Sequence, residues 1–443
     1  MNWPAIRDEV TSLLQSLLRF DTTNPPGNEL ACLSWVAGVL HENGIECTLL
    51  ESAPARGNLV ARLRGNGSKQ PCLLMGHVDV VPVEREQWTH DPFGGELADG
   101  YVYGRGALDM KNVDAIQLIL VLLLKRAGLP LARDVIFMLN ADEETGGVVG
   151  ARWMQEKHPD LIEAEAGITE LGGNAFEFAG KRFFMVQTGE KGGSGFVVRA
   201  HGNAGHASQP HPDNAVLKLM RALNRIATAD LPIHVSPTMR TYVETIAREA
   251  GPAGEPWYGL LEQDSFAATL EALPVRPSMK KMLHSQFHNS LAPTVLSAGS
   301  KVNVIPASAE CVVDCRIVPG QTRDDVLREV RSLIGDDFDV EFRSAIASTG
   351  VEQAGAAHSE LWHLMDKGIR KHGDGVVVPF LMTGGTDARF QIKLGTQMFG
   401  FTPSLAPIEE YDRIHAHDER VAVSDLEFGV RVLYDVVEEY CAP

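Results

Sequence analysis

The chain has 443 residues, 44% hydrophobic and 22% charged, the balance of an ordinary globular protein of two or three domains that folds without disulfides. Its 58 acids outweigh 40 Lys and Arg for a formal net charge of -18, a field that repels phosphate backbones and argues against a nucleic-acid partner. The six cysteines (Cys32, Cys47, Cys72, Cys311, Cys315, Cys441) show no C-x-x-C pair and no framework spacing, so buried free thiols in a reducing compartment are expected.

The N-terminus mixes acids with apolar residues, unlike a signal peptide, and the longest mostly apolar stretch, Ile116 to Leu124, is too short to span a bilayer. A cytoplasmic protein without membrane association is expected. Two amphipathic helices open the chain, near Ile6–Arg19 and Glu29–Asn43, separated by the Asn24-Pro-Pro-Gly turn. Short apolar segments follow at Ile45–Leu50, Asn58–Leu63 and Cys72–Val80. A long helix at Asn112–Ala127, a strand at Val135–Leu139 and a helix after Gly147 complete an α/β pattern, with helices covering both faces of a sheet.

At about Lys191 the texture changes. A strand at Gly195–His201, a helix at Asn214–Ile226, a strand at Glu310–Val318, a helix at Arg323–Leu333 and a strand at Asp337–Phe342 read as a small α+β domain, residues 192–349. Cys311 and Cys315 fall on one face of its strand. The domain is inserted into an α/β domain made of 1–191 and 350–443, which resumes from about Ala357 and closes on a helix near Ser424–Tyr440. The stretch Ser236–Pro293 is longer than a plain connection, and no role for it is legible.

Chemistry-bearing residues cluster where predicted strands end. In Leu73-Leu74-Met75-Gly76-His77-Val78-Asp79, an apolar strand delivers His77 and Asp79 on one face at its carboxyl end, where ligands collect in open α/β sheets. His77 suits a metal and Asp79 suits orienting its imidazole, though an H-x-D alone also suits a structural pair. Asp109 follows the glycine turn Gly104-Arg105-Gly106 directly before the long helix, where it can project into a cleft or simply cap the helix. Asp142-Glu143-Glu144 follows another apolar strand. Three adjacent acids repel one another and a cation would relieve them, but an acidic solvated turn fits as well. Glu170 ends a short strand at Ala166–Thr169, and His415-Ala416-His417-Asp418-Glu419 lies late in the chain. Together they supply two imidazoles and three carboxylates, a suitable donor set for two zinc ions.

These motifs, with Trp88–Lys111, Gly205-His206-Ala207-Ser208 and Asn303-Val304-Ile305-Pro306, resemble the zinc metallopeptidase family of aminoacylase, carboxypeptidase G, carnosine dipeptidase and succinyl-diaminopimelate desuccinylase. The likeness covers nearly the whole chain and is nearest to aminoacylase-like members. It implies a mixed-sheet catalytic domain with an inserted ferredoxin-like lid and dimerisation domain, and two Zn2+ (Co2+ or Mn2+ substituting). Asp109 would bridge the ions, His77 and Glu170 completing one site and Glu144 and His415 the other. His415 is chosen over His417 by the H-x-x-D-E pattern. Glu143 would be the general base, with Asp79, which orients His77, and His206, which stabilises the oxyanion, completing the catalytic set. Arg316, Asn303 and Arg389 would bind the substrate.

The implied substrate is an N-acyl amino acid or short peptide with a free carboxylate beside the cleaved amide, which an Arg fork matches. An N-acyl-amino-acid hydrolase or a carboxypeptidase is expected, with a carnosine-type dipeptidase or a binding-only relative as alternatives. A homodimer through the lid is compatible with the resemblance. Leu171 departs from the Glu-Gly-Gly common at the fourth motif, which puts the Glu170 ligand in question. No G-x-S-x-G elbow and no P-loop occurs, which disfavours serine hydrolases and nucleotide enzymes.

Overall fold

The structure is a computed structural model that describes residues 1–343 and 350–443, without the side chain of residue 408. The chain divides into two compact units. One comprises Met1–Thr188, Gly355–Pro379 and Thr386–Pro443, the other Gly189–Ala354 and Phe380–Gly385.

In the first unit the opening helix α1 (Trp3–Leu18) and α2 (Glu29–Glu42) lie close to the expected spans. Strands β1 (Cys47–Ala53), β2 (Arg56–Leu63), β3 (Cys72–His77), β4 (Val135–Asn140), β5 (Ala166–Thr169) and β6 (Lys181–Glu190) and a late strand, β7 (Gln397–Gly400), build one mixed sheet in the order β1-β2-β4-β3-β5-β7-β6. β4, β3, β5 and β7 run parallel, while β1 and β2 are antiparallel.

The parallel strands are buried on both faces, which explains their unbroken apolar runs. Leu74, Phe137 and Leu139 face the core containing α1 and the long helix α3 (Lys111–Ala127); Leu73, Met75, Ile136 and Met138 face the other core, with Met154 and Met398. α3 is buried from Lys111 to Leu124, and each fully buried Leu along it contributes about 1.5–3 kcal/mol. Its first residue, Lys111, is itself buried and donates its ammonium to the carbonyls of Leu17 and Phe20, closing the open carbonyl end of α1. The parallel register places His77 opposite Asn140, so the chain leaves β3 and β4 side by side, toward Asp79 and Glu143. The closing helix Val423–Cys441 covers the same core as α1 and α3.

The second unit has β-α-β-β-α-β order. Phe196–His201, Ser290–Ala298, Ser308–Ile317 and Phe338–Phe342 form an antiparallel sheet in which the first strand lies between the third and the fourth, and the second is at an edge. Helices Ala215–Thr228 and Arg323–Ile334 pack on it around Phe196, Val198, Val313 and Ile317. This is the ferredoxin-like arrangement expected. Cys311 and Cys315 share its buried face. The stretch with no legible role is a helical insertion between the first helix and the second strand. Its helices Pro237–Ala250, Gln263–Ala272 and Pro277–Phe287, with the 3-10 helix Glu255–Leu261, bury Tyr242, Trp257, Phe266 and Phe287. The buried ammonium of Lys191 donates to the carbonyls of Ser285 and His288, tying the end of this insertion to the start of the unit.

Candidate metal centre

Two groups of donors gather at the carboxyl ends of the parallel strands. His77, Asp109 and Glu170 each offer a ligand atom within 4.8 Å of the others, and so do Asp109, Glu144 and His415. Asp109 belongs to both. His77 Nε2 lies 3.2 Å from Asp109 Oδ1 and 3.6 Å from Glu170 Oε2. His415 Nε2 lies 3.2 Å from Asp109 Oδ2 and 3.3 Å from Glu144 Oε1. The two oxygens of Asp109 therefore face different histidines, as a bridging carboxylate requires. Met110, not Asp109, holds the N-cap position of α3, which removes the capping reading.

The electrostatics describe a site short of positive charge. Burial pushes Glu170 up to about 8, and the neighbouring Asp109 adds to this. Burial disfavours a charged His77, but the carboxylates of Glu170, Asp109 and Asp79 outweigh it and raise its pKa well above the usual value. His415 is raised to about 10 by its bonds to Asp109 and then Glu144. Asp109 is held low despite its burial because both histidines face it. Glu144 Oε1 and Glu170 Oε2 are buried without a well-aligned hydrogen bond. Protons on the histidines thus occupy the role a cation would take.

Metal binding must displace those protons, so affinity should rise with pH up to the value of about 10 that governs His415, and fall in acid. Titration calorimetry at pH 7 in buffers of different ionisation enthalpy should count at least one proton released per chain. A count of zero would refute this account of the site.

Asp79 does more than orient His77. Its backbone carbonyl is 3.0 Å from His77 Nδ1 and its Oδ1 3.4 Å away, while its carboxylate accepts the Glu143 N–H at 3.0 Å and the Glu144 N–H at 3.1 Å. The same carboxylate accepts Asn24 Nδ2 at 2.9 Å. Glu143 opens a 3-10 turn, Glu143–Thr145, and desolvation followed by the charge of Glu170 raises its carboxyl well above the usual range.

Asp142, the third adjacent acid, points elsewhere. It sits at φ 74 and accepts Asn24 Nδ2, Arg56 Nη2, Thr145 Oγ1 and the Val149 N–H, while Arg56 also forks onto Glu29 with two bonds of 2.7 Å. Sequence reasoning missed Asn24, Arg56, Glu29 and Asp142 as supports of the site. The Asn24-Pro-Pro-Gly turn was the available signal, but it also serves as an ordinary loop.

The other expected residues are placed as follows. Arg389 donates to the Gly146 carbonyl at 3.2 Å, on the loop that carries Glu143 and Glu144. Near it, Asp387 is buried with neither oxygen hydrogen-bonded and is pushed up to about 7 by that burial. His417 Nε2 pairs with Glu84 at 3.5 Å and is in neither donor group. Leu171 adopts φ 58, a left-handed conformation costly for a bulky side chain, so the missing glycine is a strain beside Glu170, whose carboxylate still lies 3.6 Å from His77. His206, Asn303 and Arg316 belong to the second unit. There Gly205-His206 pairs with Val304-Ile305, the Ala207 N–H donates to the Asn303 carbonyl, and His206 Nδ1 is 2.7 Å from Ser208 Oγ. Arg316 Nε donates to Asp314 at 2.9 Å on the same face of its strand.

Two histidines and three carboxylates sharing one Asp, set at the ends of a parallel sheet, are the equipment of a metal-dependent hydrolase. The chain belongs to peptidase family M20/M25/M40, which residues 73–439 match, and it is a metal-dependent hydrolase of that family. It is 28% identical over 384 residues to the N-fatty-acyl-amino acid synthase/hydrolase PM20D1 of Bos taurus, covering 84% of this chain and 74% of that protein. It is 27% identical over 418 residues to aminoacylase-1 of Sus scrofa, covering 93% and 90%. The fold matches an M20 family metallo-carboxypeptidase from Sulfolobus solfataricus with a TM-score of 0.69 at 18% identity, over 98% of this chain and 99% of that one.

Proposed function

We propose that the chain hydrolyses N-acyl amino acids at the amide bond beside the free carboxylate, using two zinc ions. The observation that carries this reading is the pair of donor groups sharing Asp109, with Glu143 on the same turn as Glu144. Imidazole and carboxylate donors suit zinc, and the buried oxygens of Glu144 and Glu170, which face the histidines and lack a well-aligned hydrogen bond, fit a cation. His77, Asp109 and Glu170 would hold one ion, and Asp109, Glu144 and His415 the other. Bound there, zinc lowers the pKa of water toward about 7 and polarises a carbonyl.

Glu143 takes the proton of the attacking water and passes it to the leaving nitrogen. Asp79 fixes Glu143 through its backbone N–H. His206 donates to the developing oxyanion. Arg389 in the first unit, or Arg316 and Asn303 in the second, would receive the substrate carboxylate, as the resemblance implies. The names of the aminoacylase and N-fatty-acyl-amino acid relatives support the acyl class.

The six cysteines are free thiols, which supports a cytoplasmic site of action, and no helix among the described residues is long and apolar enough to cross a membrane. The edge strand Ser290–Ala298 exposes Val295 and Leu296, and helix Ala215–Thr228 exposes Leu217 and Met220, which supports a second copy docking on the inserted unit. Sedimentation showing a monomer at micromolar concentration would sink that part.

The test of the activity is an assay of zinc-loaded protein against N-acetyl and N-fatty-acyl amino acids, dipeptides and N-carbamoyl amino acids. Turnover of the acyl compounds above the others is expected. Preferential cleavage of dipeptides would move the chain to the dipeptidase reading. No cleavage with both ions bound would leave a binding protein.

A further inference from the structure

Glu419 is fully buried and is a member of neither donor group, yet it holds the backbone of the loop that presents Asp109 while belonging to the loop that carries His415. Its Oε1 accepts the N–H of Leu108 at 2.6 Å and of Asp109 at 3.1 Å. Its Oε2 accepts the N–H of Gly106 at 3.1 Å and Arg105 Nη1 at 2.5 Å. Arg105 is buried too, with its guanidinium 5.3 Å from the ring centre of Trp88. One carboxylate therefore satisfies three N–H groups of the turn that presents Asp109, and its charge is matched by a guanidinium.

The backbone continues this grip. The Gly104 N–H donates to the Glu419 carbonyl, and the next residues, Arg420–Ala422, pair antiparallel with Tyr101–Tyr103. Upstream of Glu419 the chain is strained, with His415 at φ 62 and Asp418 at φ 52. Asp418 fastens that stretch by accepting the N–H and Oγ1 of Thr89. Left-handed conformations persist only where the surroundings fix them, and here the fixed points are Asp418 and Glu419.

We propose that Glu419 is a positioning residue that locks the turn bearing Asp109 to the loop bearing His415, and so sets the distance between the bridging carboxylate and the histidine beside it. The proposal rests on Asp109 and His415 being metal ligands. Glu419 touches neither ion nor substrate. It acts through the backbone of Asp109 and through its own place four residues after His415.

The experiment compares wild type, Glu419→Gln, Glu419→Asp and His415→Ala as full chains. Zinc and cobalt binding are read by equilibrium dialysis, the cobalt forms by their visible absorption, and folding by thermal unfolding. An amide at position 419 offers N–H groups to N–H donors, so the grip on one side of the turn is lost. Zinc affinity at one of the two ions should fall about 10–100-fold, the size usual for groups that support a metal ligand. The cobalt spectrum should change, and kcat should fall with KM nearly constant. Glu419→Asp, which keeps the charge on a shorter stem, should show the same changes to a smaller degree.

Wild-type affinity and an unaltered cobalt spectrum in a folded Glu419→Gln protein would overturn the proposal. Should that variant not fold, the same wild-type behaviour in Glu419→Asp would overturn it. Failure of the underlying ligand reading looks different: wild type then binds fewer than two ions, or His415→Ala binds as many as wild type.

Discussion

Replacing Glu143 by alanine should lower kcat about 10²–10⁴-fold, the range for losing a positioned general base, while both metal ions stay bound. The separation is possible because Glu143 is absent from both donor groups although its neighbour Glu144 is in one. Adjacent residues on the short turn point different ways, and Asp79 grips the N–H of each separately. The stability of the metal-free protein should move in the opposite direction from activity. Desolvation, then Glu170, raises the Glu143 carboxyl from a reference value of 4.5, so the folded chain binds this proton more tightly than the unfolded one. Its contribution to stability is present below about 4.5 and is lost as pH rises through the folded value. Above 4.5 the group therefore adds progressively less, and there thermal unfolding of Glu143→Ala should begin no lower than in wild type. A variant that loses both activity and bound metal would assign Glu143 to the donor set and remove it as the base. A variant of normal kcat would end the mechanism.

The elements of the α/β unit were readable because their patterns are local. Buried parallel strands such as Leu73–Met75 and Val135–Leu139 read as continuous apolar runs, and α3 as a long periodic one. Most donor residues were readable for a related reason: His77 ends a strand, Glu170 directly follows one, and Glu144 and Asp109 lie within a few residues of a strand end and a glycine turn. His415, by contrast, follows the 3-10 turn Ile408–Arg413 and was legible only through the H-x-x-D-E pattern. Their supports were not readable. Asn24 reaches Asp79 across 55 positions of sequence, and Glu419 reaches the Leu108 N–H across 311. Nothing near Glu419 in sequence shows that its partners are backbone N–H groups. Asp142 shows the same limit in miniature. Beside Glu143 and Glu144 it reads as a third acid of the site, but a left-handed backbone turns it toward Arg56, a choice no composition reveals. The strain at Leu171 was visible only as a departure from an expected glycine, and its φ of 58 gives that departure a physical meaning.

Replacing Asp109 by alanine should cost both ions at once and reduce kcat/KM at least as far as the Glu143 substitution does. A ligand confined to one site, such as Glu170 or Glu144, should on replacement weaken one ion more than the other. Asp109 differs because its Oδ1 faces His77 and its Oδ2 faces His415. The losses are then not additive: Asp109→Ala combined with His415→Ala should bind metal no more weakly than Asp109→Ala alone, because the interaction between them is already gone. The metal-free protein provides an independent check. Both histidines hold Asp109 below its reference value of 3.8, so it contributes stability that is present above 3.8 and lost as pH falls through the folded value. Near neutrality Asp109→Ala should therefore unfold at a lower temperature than wild type, leaving His77 and His415 protonated among fewer negative partners, whereas Glu143→Ala should not. Two acids of the same site thus affect stability with opposite signs, because one is stabilised by its partners while the other is first desolvated and then faces the like charge of Glu170. Atomic absorption after exhaustive dialysis decides the metal half of the argument. Retention of one ion at full occupancy in Asp109→Ala would show that the two donor groups do not depend on a shared carboxylate.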